Sequence, residues 1–538
     1  MKQLPISIQS FGNFYKYKVK YVYVDKTDMI YNLISNKAVF LSRPRRFGKS
    51  LLLSTVKELF NGNKKSFKDL KIKAKKYNFE KFPIIHLDMS TISGNPQLVE
   101  KGIILKLNRI ASAENLNLKA DIPGQALEEL IEGLHDKYKK DVVILIDEYD
   151  APVSSNIGQS TLAEENSQVL RIFYSSLKSC NEYLRFVFVT GVTRYGLMGL
   201  SAGLNHLYDI SFDPQYAAIC GFTLEEMDQF FGDRYPVVLE ALKSTGYLPA
   251  TSTEKNLRKK IEFWYDGYTW DGNRRVLNPV SILNFFKKHK FSQYWQETYP
   301  SVSFITNIMK HQPLEFTKDK LKDISKLDLT MATVDGLKPV PLLFQTGYLT
   351  IDKISIKKGK EFYSLKVPNF EIKDEYYNIL NKILSNALVK NNELESDNLF
   401  EALKSRDGEK LTNIIGSLYA GLPAEHHQSS ESFYHSLLWA YCSALVDQTR
   451  AEEPGAIGDL DLILVLKNGT HVVMELKYAK DEGQNNVGAI LKQQAQKALA
   501  AIRKKQYGQR YRLEGKEFLT VGVAVFGRSQ VLAVFGED

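Results

Sequence analysis

The sequence predicts an α/β protein built from several modules, on three observations. Residues 37–60, KAVFLSRPRRFGKSLLLSTVKELF, read as a short buried strand over Ala38–Leu41, a loop closing in Gly-Lys-Ser, and a helix with apolar residues at helical spacing. About a hundred residues on, DVVILIDEYDAPV (141–153) is a second apolar run that delivers two acids at its carboxyl end. Near the C-terminus, GDLDLILVLKNGTHVVMELKYAK (458–480) has the turn and alternation of a β-hairpin. A chain of 538 residues exceeds what one core organises, so roughly three or four units are expected.

Bulk composition narrows the class. Hydrophobic residues make up 44% and charged residues 25%, which excludes disorder on the scale of a domain. The net charge of +9 permits a polyanionic partner without demanding one; KIKAKK (71–76) and RKK (503–505) suit phosphate contacts, although solvated surface is the commoner fate of such runs. Cys180, Cys220 and Cys442 lie far apart, which argues against a disulfide framework or a structural zinc. The first residues lack the apolar stretch of a signal peptide, and no run of about 18 apolar residues occurs. A cytoplasmic protein without a membrane segment is the expectation.

A strand, a loop ending in Gly-Lys-Ser and a helix form the context in which backbone N–H groups curl around phosphates. The candidate nucleotide-binding stretch is Arg43, Pro44, Arg45, Arg46, Phe47, Gly48, Lys49, Ser50 and Leu51. Lys49 would reach the outer phosphates and Ser50 would ligate magnesium. Arg43 occupies the place of the loop's usual first glycine, and at least one of the three arginines is positioned to meet phosphate. Asp147 is assigned to the magnesium shell and Glu148 to polarising the attacking water. A third strand, RFVFVTGVTRYG (185–196), ends at Thr190, placed to sit beside the γ-phosphate. Arg194 reads either as a charge-stabilising arginine or as a surface residue.

Five segments together, YVDKTDMI (23–30), RPRRFGKSLLLS (43–54), LIDEYDAPV (145–153), FVFVTGVTRYG (186–196) and WYDGYTW followed by NPVSIL (264–283), resemble the AAA-ATPase-like family of bacterial proteins that carry a C-terminal PD-(D/E)XK nuclease-like domain. That family's loop also has arginine in place of the first glycine, so the resemblance implies a variant loop. It implies ATP and Mg²⁺ as cofactors.

The middle of the chain reads as helical from about residue 222: FTLEEMDQFF has a threonine N-cap with acids in its first turn, and NPVSILNFFKKHK opens on proline and closes in lysines. These helices are expected to form a lid. Trp264, Tyr265, Tyr268 and Trp270 are read as core packing in preference to a base-stacking platform. PLLFQTGYLTIDKISIKKGKEFYSLKVPN (341–369) suggests a turn at Gly347 and a hairpin, a winged-helix-like connector with Lys357, Lys358 and Lys360 on its wing.

The register of the C-terminal hairpin is testable from the sequence. A two-residue Asn-Gly turn mixes acids with leucines on both faces. A three-residue loop, Lys467-Asn468-Gly469 with Gly469 left-handed, instead makes one face wholly apolar: Leu460, Leu462, Leu464 and Leu466 against Val472, Met474 and Leu476. Because a one-residue slip turns every side chain over, burial selects this second register. Asp461 then faces Glu475 and Asp459 faces Lys477. Two opposed carboxylates call for a cation, and a divalent metal between Asp461 and Glu475 would lower the pKa of a bound water. Lys477 would orient that water or stabilise the phosphorane.

This constellation is that of PD-(D/E)XK nucleases. The resemblance adds Glu431, at the head of ESFYHSLLWAYCSAL, as a further acidic ligand, with Glu452 or Glu453 as weaker candidates. Asp459 stands where the family usually has arginine and Ala501 where a glutamine is expected, which puts the cleavage rate in question. The reading is a P-loop ATPase sheet (1–221), a helical lid (222–325), a winged-helix-like connector (326–385) and a restriction-endonuclease-like α/β domain (386–538). The partners expected are ATP, nucleic acid with DNA favoured, and a second copy of the chain, with Mg²⁺ or Mn²⁺ at the nuclease site. The competing reading is an ATP-dependent switch or scaffold whose nuclease-like domain only binds nucleic acid or a partner.

Overall fold

A computed structural model describes residues 1–16, 20–156, 159–194, 207–295, 321–330, 339–373, 392–420, 429, 431–445, 448–450, 462–466, 469–483, 486–504 and 518–536. The chain divides into two compact units, one of 1–300 with 321–372, the other of 301–320 with 373–538. Of the region expected as a lid (222–325), all but 301–320 belongs with the hairpin to the same unit as the phosphate loop, and the later division falls after Ile372.

The first unit is built on five parallel strands, β1 (Ala38–Ser42), β2 (Ile84–Asp88), β3 (Val142–Asp147), β4 (Leu184–Gly191) and β5 (Leu207–Asp209), in the order β2-β3-β4-β1-β5. Strands β1 and β3 are buried along their whole length. That is the pattern of a parallel sheet covered on both faces, and it is why both read as unbroken apolar runs. Insertion of β4 between β1 and β3 sets Leu41 beside Thr190 and Ile146 beside Val189. The loop after β1, the end of β4 and the acids after β3 therefore share the carboxyl edge of the sheet, where ligands of open α/β sheets bind.

The helices beyond the sheet follow their local signals. Thr223 caps the helix Leu224–Phe231 in a full capping box with Glu226, and Asn278 caps Pro279–Lys288. Tyr265, Phe285, Phe286 and Phe291 fill the core between them, with Trp264 packed at its margin. Tyr268 and Trp270 are buried as well, so the aromatics of this region are core residues. The small sheet holds β6 (Ile324–Ser325), β7 (Thr350–Lys357) and β8 (Lys360–Lys366) in the order β6-β8-β7. The hairpin turns at Lys358 and Gly359, both at positive φ. Lys357 is held by Asp323 at 2.6 Å. The helix Pro339–Thr346 stops at Gly347, whose φ of 95° lets Tyr348 N–H return to the Leu343 carbonyl.

The second unit is a mixed sheet of β9 (Gln448–Arg450), β10 (Leu462–Val465), β11 (His471–Ala479), β12 (Phe518–Phe526) and β13 (Gln530–Phe535), ordered β13-β12-β11-β10-β9. Strands β9 to β11 form an antiparallel meander, and the helix Val487–Lys504 carries the chain over to β12, parallel to β11. The pairs are Leu462–Met474, Ile463–Val473 and Leu464–Val472. This is the register that burial selected, and Gly469 closes the loop at φ 87° with its N–H on the Leu466 carbonyl. Among the described residues no helix is long and apolar enough to cross a membrane.

Candidate functional sites

The phosphate loop runs from Ser42 into the helix Lys49–Phe60. Gly48, at φ 95°, is its N-cap, a conformation that a side chain would strain. Lys49 is buried, with Nζ donating to the carbonyls of Arg43 (2.9 Å) and Pro44 (3.0 Å). Burial drives its pKa below the ordinary lysine value, opposed by the charges of Asp147, Glu148 and Asp150. A cation desolvated beside three acids and donating only to loop carbonyls fits a phosphate-binding lysine. Phe47 is wedged against Tyr268 and Trp270, at ring distances of 4.8 and 5.3 Å. Pro44 approaches Gly347 so closely that a Cβ there would lie 2.9 Å from it.

Arg43 does not present its guanidinium to this cradle. It is fully buried, donating Nη1 to the carbonyls of Ser42 (2.9 Å) and Ser211 (2.8 Å) and Nη2 to that of Tyr216 (3.4 Å), and its guanidinium carbon lies 4.1 Å from the centre of the Trp270 ring. Desolvation lowers its pKa to about 10. Arg43 acts as a brace behind the loop, and any contact it makes with phosphate is through its backbone. Arg194 is likewise no surface residue: its side chain is buried and ion-paired with Asp209.

Asp147 ends β3 with a buried carboxylate whose Oδ1 accepts from Thr190 Oγ1 at 2.6 Å and from the Glu148 amide at 3.0 Å. Glu148 sits at φ 49°, and burial raises its pKa despite the neighbouring Lys49. Asp147 thus meets Thr190 by a hydrogen bond and Lys49 through its charge. Sequence reasoning passed over Asp150, which is buried and accepts from the amides of Val192 (3.2 Å) and Thr193 (2.7 Å) and from Thr193 Oγ1 (2.5 Å). It pins the turn after Thr190 to the acid-bearing strand. Gly191 is required beneath it, because a Cβ would lie 2.5 Å from the Tyr149 ring. The third acid of LIDEYD was the available signal.

In the second unit, Glu475 is 2% exposed and lies 3.2 Å from Lys477 Nζ. Lys477 reaches Glu431 Oε1 at 2.8 Å, and Glu431 Oε2 accepts from the Tyr478 amide at 3.2 Å. Alternation along β11 puts Glu475 and Lys477 on one face, while Tyr478, on the other, stacks on Tyr434 of the helix Glu431–Leu445 (5.1 Å). That helix is how Glu431, 46 residues away, joins the pair. Ile463 and Val473, on the face of Glu475, pack against Leu499 and Ile502 of the crossover helix. Gly522, beside Glu475 on β12, admits the helix: a Cβ would lie 2.4 Å from the Ala495 carbonyl. The expected position of Asp461, with those of Asp459, Glu452 and Glu453, falls outside the described residues. Glu475 and Glu431 supply carboxylate oxygens of the hard kind that suits a magnesium-type ion, with Lys477 beside them as a cation and not a ligand; among the described residues no third His, Cys, Asp or Glu joins them.

These two sites define an AAA-type P-loop domain joined to a restriction-endonuclease-like domain. Comparison with known families agrees: residues 5–201 match the family described as a predicted AAA-ATPase, and residues 429–534 match the PD-(D/E)XK nuclease superfamily. Among curated proteins, the chain is 29% identical over 533 residues to an uncharacterized protein in the vnfD 5′ region of Azotobacter chroococcum mcd 1, a match covering 97% of this chain and 96% of that one. A weak likeness to a solved structure of Drosophila ORC bound to GC-rich DNA and Cdc6 spans 52% of this chain and 90% of that one, at 10% identity and a TM-score of 0.20.

Proposed function

We propose that the protein binds and hydrolyses ATP in its first unit and cleaves DNA in its second, with nucleotide state gating the cleavage. The observation that carries the first half is the convergence of Lys49, Asp147 and Thr190 at one edge of the sheet. Lys49 would release the Arg43 and Pro44 carbonyls and take the phosphates, Ser50 and Asp147 would hold Mg²⁺, and Glu148 would accept a proton from the attacking water. The burial that raises its pKa makes its carboxylate a stronger proton acceptor than an exposed one.

Support for the second half is the buried Glu475 with Lys477 and Glu431 around it. With Asp461, Glu475 would hold Mg²⁺ or Mn²⁺, which supplies a water of lowered pKa and neutralises phosphate charge. Lys477 would position the nucleophile, and Glu431 would fix Lys477. A cytoplasmic location and assembly with a second copy remain part of this reading.

The test is nicking or cutting of plasmid DNA by purified protein with Mg²⁺ or Mn²⁺, with and without ATP. Asp461→Ala and Lys477→Ala should abolish product and spare ATP hydrolysis. Ala501 and Asp459, at the places of a glutamine and an arginine in the resemblance, favour the rival reading of a binding scaffold. That rival predicts DNA binding that survives loss of Asp461 and Glu475, with no product from the wild type.

A further inference from the structure

The first unit carries a second concave site, at the pole of its sheet opposite the phosphate loop. The loop follows Ser42 at the carboxyl end of β1, whereas Lys37 precedes that strand and Arg185 lies near the amino end of β4. Five residues of strand separate the two poles by about 16 Å. At the amino pole is an open cleft of about 670 Å³, lined among others by Tyr31, Tyr77, Tyr208, Tyr216, Arg185 and Gln215.

Tyrosines at a sheet edge are usually no more than the margin of a core. Here Tyr216 is packed away, but Tyr31, Tyr77 and Tyr208 are neither packed away nor isolated. Tyr31 and Tyr77 are half-buried and meet edge to face at 6.5 Å, while Tyr208 is 38% exposed and meets Tyr216 at 6.4 Å. The Tyr208 hydroxyl is bonded to Asp213, which fixes that ring.

Arg185 lines the cleft and Lys75 reaches one of its rings, with Lys73 and Lys76 close to Lys75 in sequence. The segment leading into Tyr77 is Lys71-Ile72-Lys73-Ala74-Lys75-Lys76, with every lysine exposed, and Lys75 Nζ lies 5.9 Å from the centre of the Tyr31 ring. Arg185 is held 5.7 Å from both the Phe60 and Phe82 rings. Among the described residues Lys73, Lys75, Lys76 and Arg185 have no ion-paired carboxylate, and Glu80 nearby is taken by Lys140 at 3.0 Å. Accessible rings set beside uncompensated cations are the combination that holds unpaired bases and their phosphates. A duplex keeps its base faces stacked and offers the rings nothing.

We propose that this cleft binds a segment of single-stranded nucleic acid, with bases against Tyr31 and Tyr77 and phosphates on Lys73, Lys75, Lys76 and Arg185. The site lies on the other unit from Glu475 and calls for no metal, so it stands or falls apart from the nuclease reading.

Binding of a labelled oligothymidylate of about fifteen nucleotides to the full chain, followed by fluorescence anisotropy in EDTA, tests it. Tyr31→Ala/Tyr77→Ala and, separately, Lys73→Glu/Lys75→Glu should each weaken binding about tenfold or more, with the melting temperature and ATP binding of the lysine pair unchanged. Photocrosslinking with iodouracil in the same oligonucleotide should label a peptide containing Tyr31 or Tyr77, a readout that does not depend on any variant folding. Wild-type affinity in the folded lysine variant, or crosslinks confined to residues 386–538, overturns the proposal. So does competition by free dTMP or by duplex as effective as that by the oligonucleotide. Failure of the nuclease reading would appear instead as uncut DNA with Mg²⁺, a result this metal-free measurement does not touch.

Discussion

Arg43 lies over the indole of Trp270, 4.1 Å from guanidinium carbon to ring centre, and three backbone carbonyls accept from its nitrogens. The loop position that glycine usually occupies is therefore filled by a residue that ties β1 to segments at 211, 216 and 270. A buried guanidinium whose Nη donors are matched, though among the described residues its Nε is not, is costly to remove in part, because carbonyls that lose their donor stay desolvated.

The first prediction concerns that brace. Arg43→Gly restores the common loop sequence yet should lower stability by about 3 kcal/mol, the scale for breaking a buried charged network. Trp270→Ala should cost about 3 kcal/mol or more through lost burial. Urea denaturation measures both, and equal or greater stability of Arg43→Gly would refute a bracing role.

Local pattern made some of this legible and hid the rest. The 462–474 register followed from parity and one left-handed glycine, because burial penalises every residue of a slipped strand at once. Asp147 and Thr190 were legible because each ends an apolar run. The direction of the Arg43 side chain was not, since Ser211, Tyr216 and Trp270 lie at least 168 residues away and no local spacing encodes them. The surface alternative for Arg194 fell for the same reason: its partner Asp209 follows a separate strand pairing, β5 on β1. Asp150, the third acid of LIDEYD, went unread because two of its three donors are backbone amides of the turn after β4, which carry no sequence signature, and the third is the Thr193 hydroxyl of another strand's turn.

A second prediction separates binding from hydrolysis at the proposed ATP site. Lys49→Ala should abolish nucleotide binding, since it removes the cation at the loop. Glu148→Gln should leave binding within a few-fold and lower hydrolysis by about a hundredfold or more, the range for a general base. Calorimetric ATP titration and phosphate release distinguish these outcomes, and full turnover by Glu148→Gln would assign the base elsewhere.

A third follows from Asp266, whose side chain is fully buried beside Arg275 (3.2 Å) and whose pKa burial raises from 3.8 to about 6. The folded form holds its proton more tightly than the unfolded chain, so the unfolded state binds fewer protons between pH 4 and 6. Stability from this group is full below its unfolded pKa and is lost as pH rises through about 6. Asp266→Asn should therefore gain about 1 to 3 kcal/mol at pH 8 relative to pH 5, after loss of the half-exposed Arg275 pairing. Parallel pH profiles of wild type and variant in urea denaturation would count against it.

The last prediction uses the buried carboxylate of the second unit. Glu475 is nearly inaccessible, and Lys477 at 3.2 Å offsets part of the cost of holding its charge there. Lys477→Met should destabilise the unit by about 3 kcal/mol, and adding Glu475→Gln should recover most of that loss, because the neutral amide no longer needs a cation. Neither variant should cleave DNA, so activity alone does not distinguish an ion pair that supports the fold from one that serves the chemistry. Stability does. A double variant no more stable than Lys477→Met alone would mean that Lys477 serves the site without compensating the buried charge, and that the lysine is held by Glu431 alone.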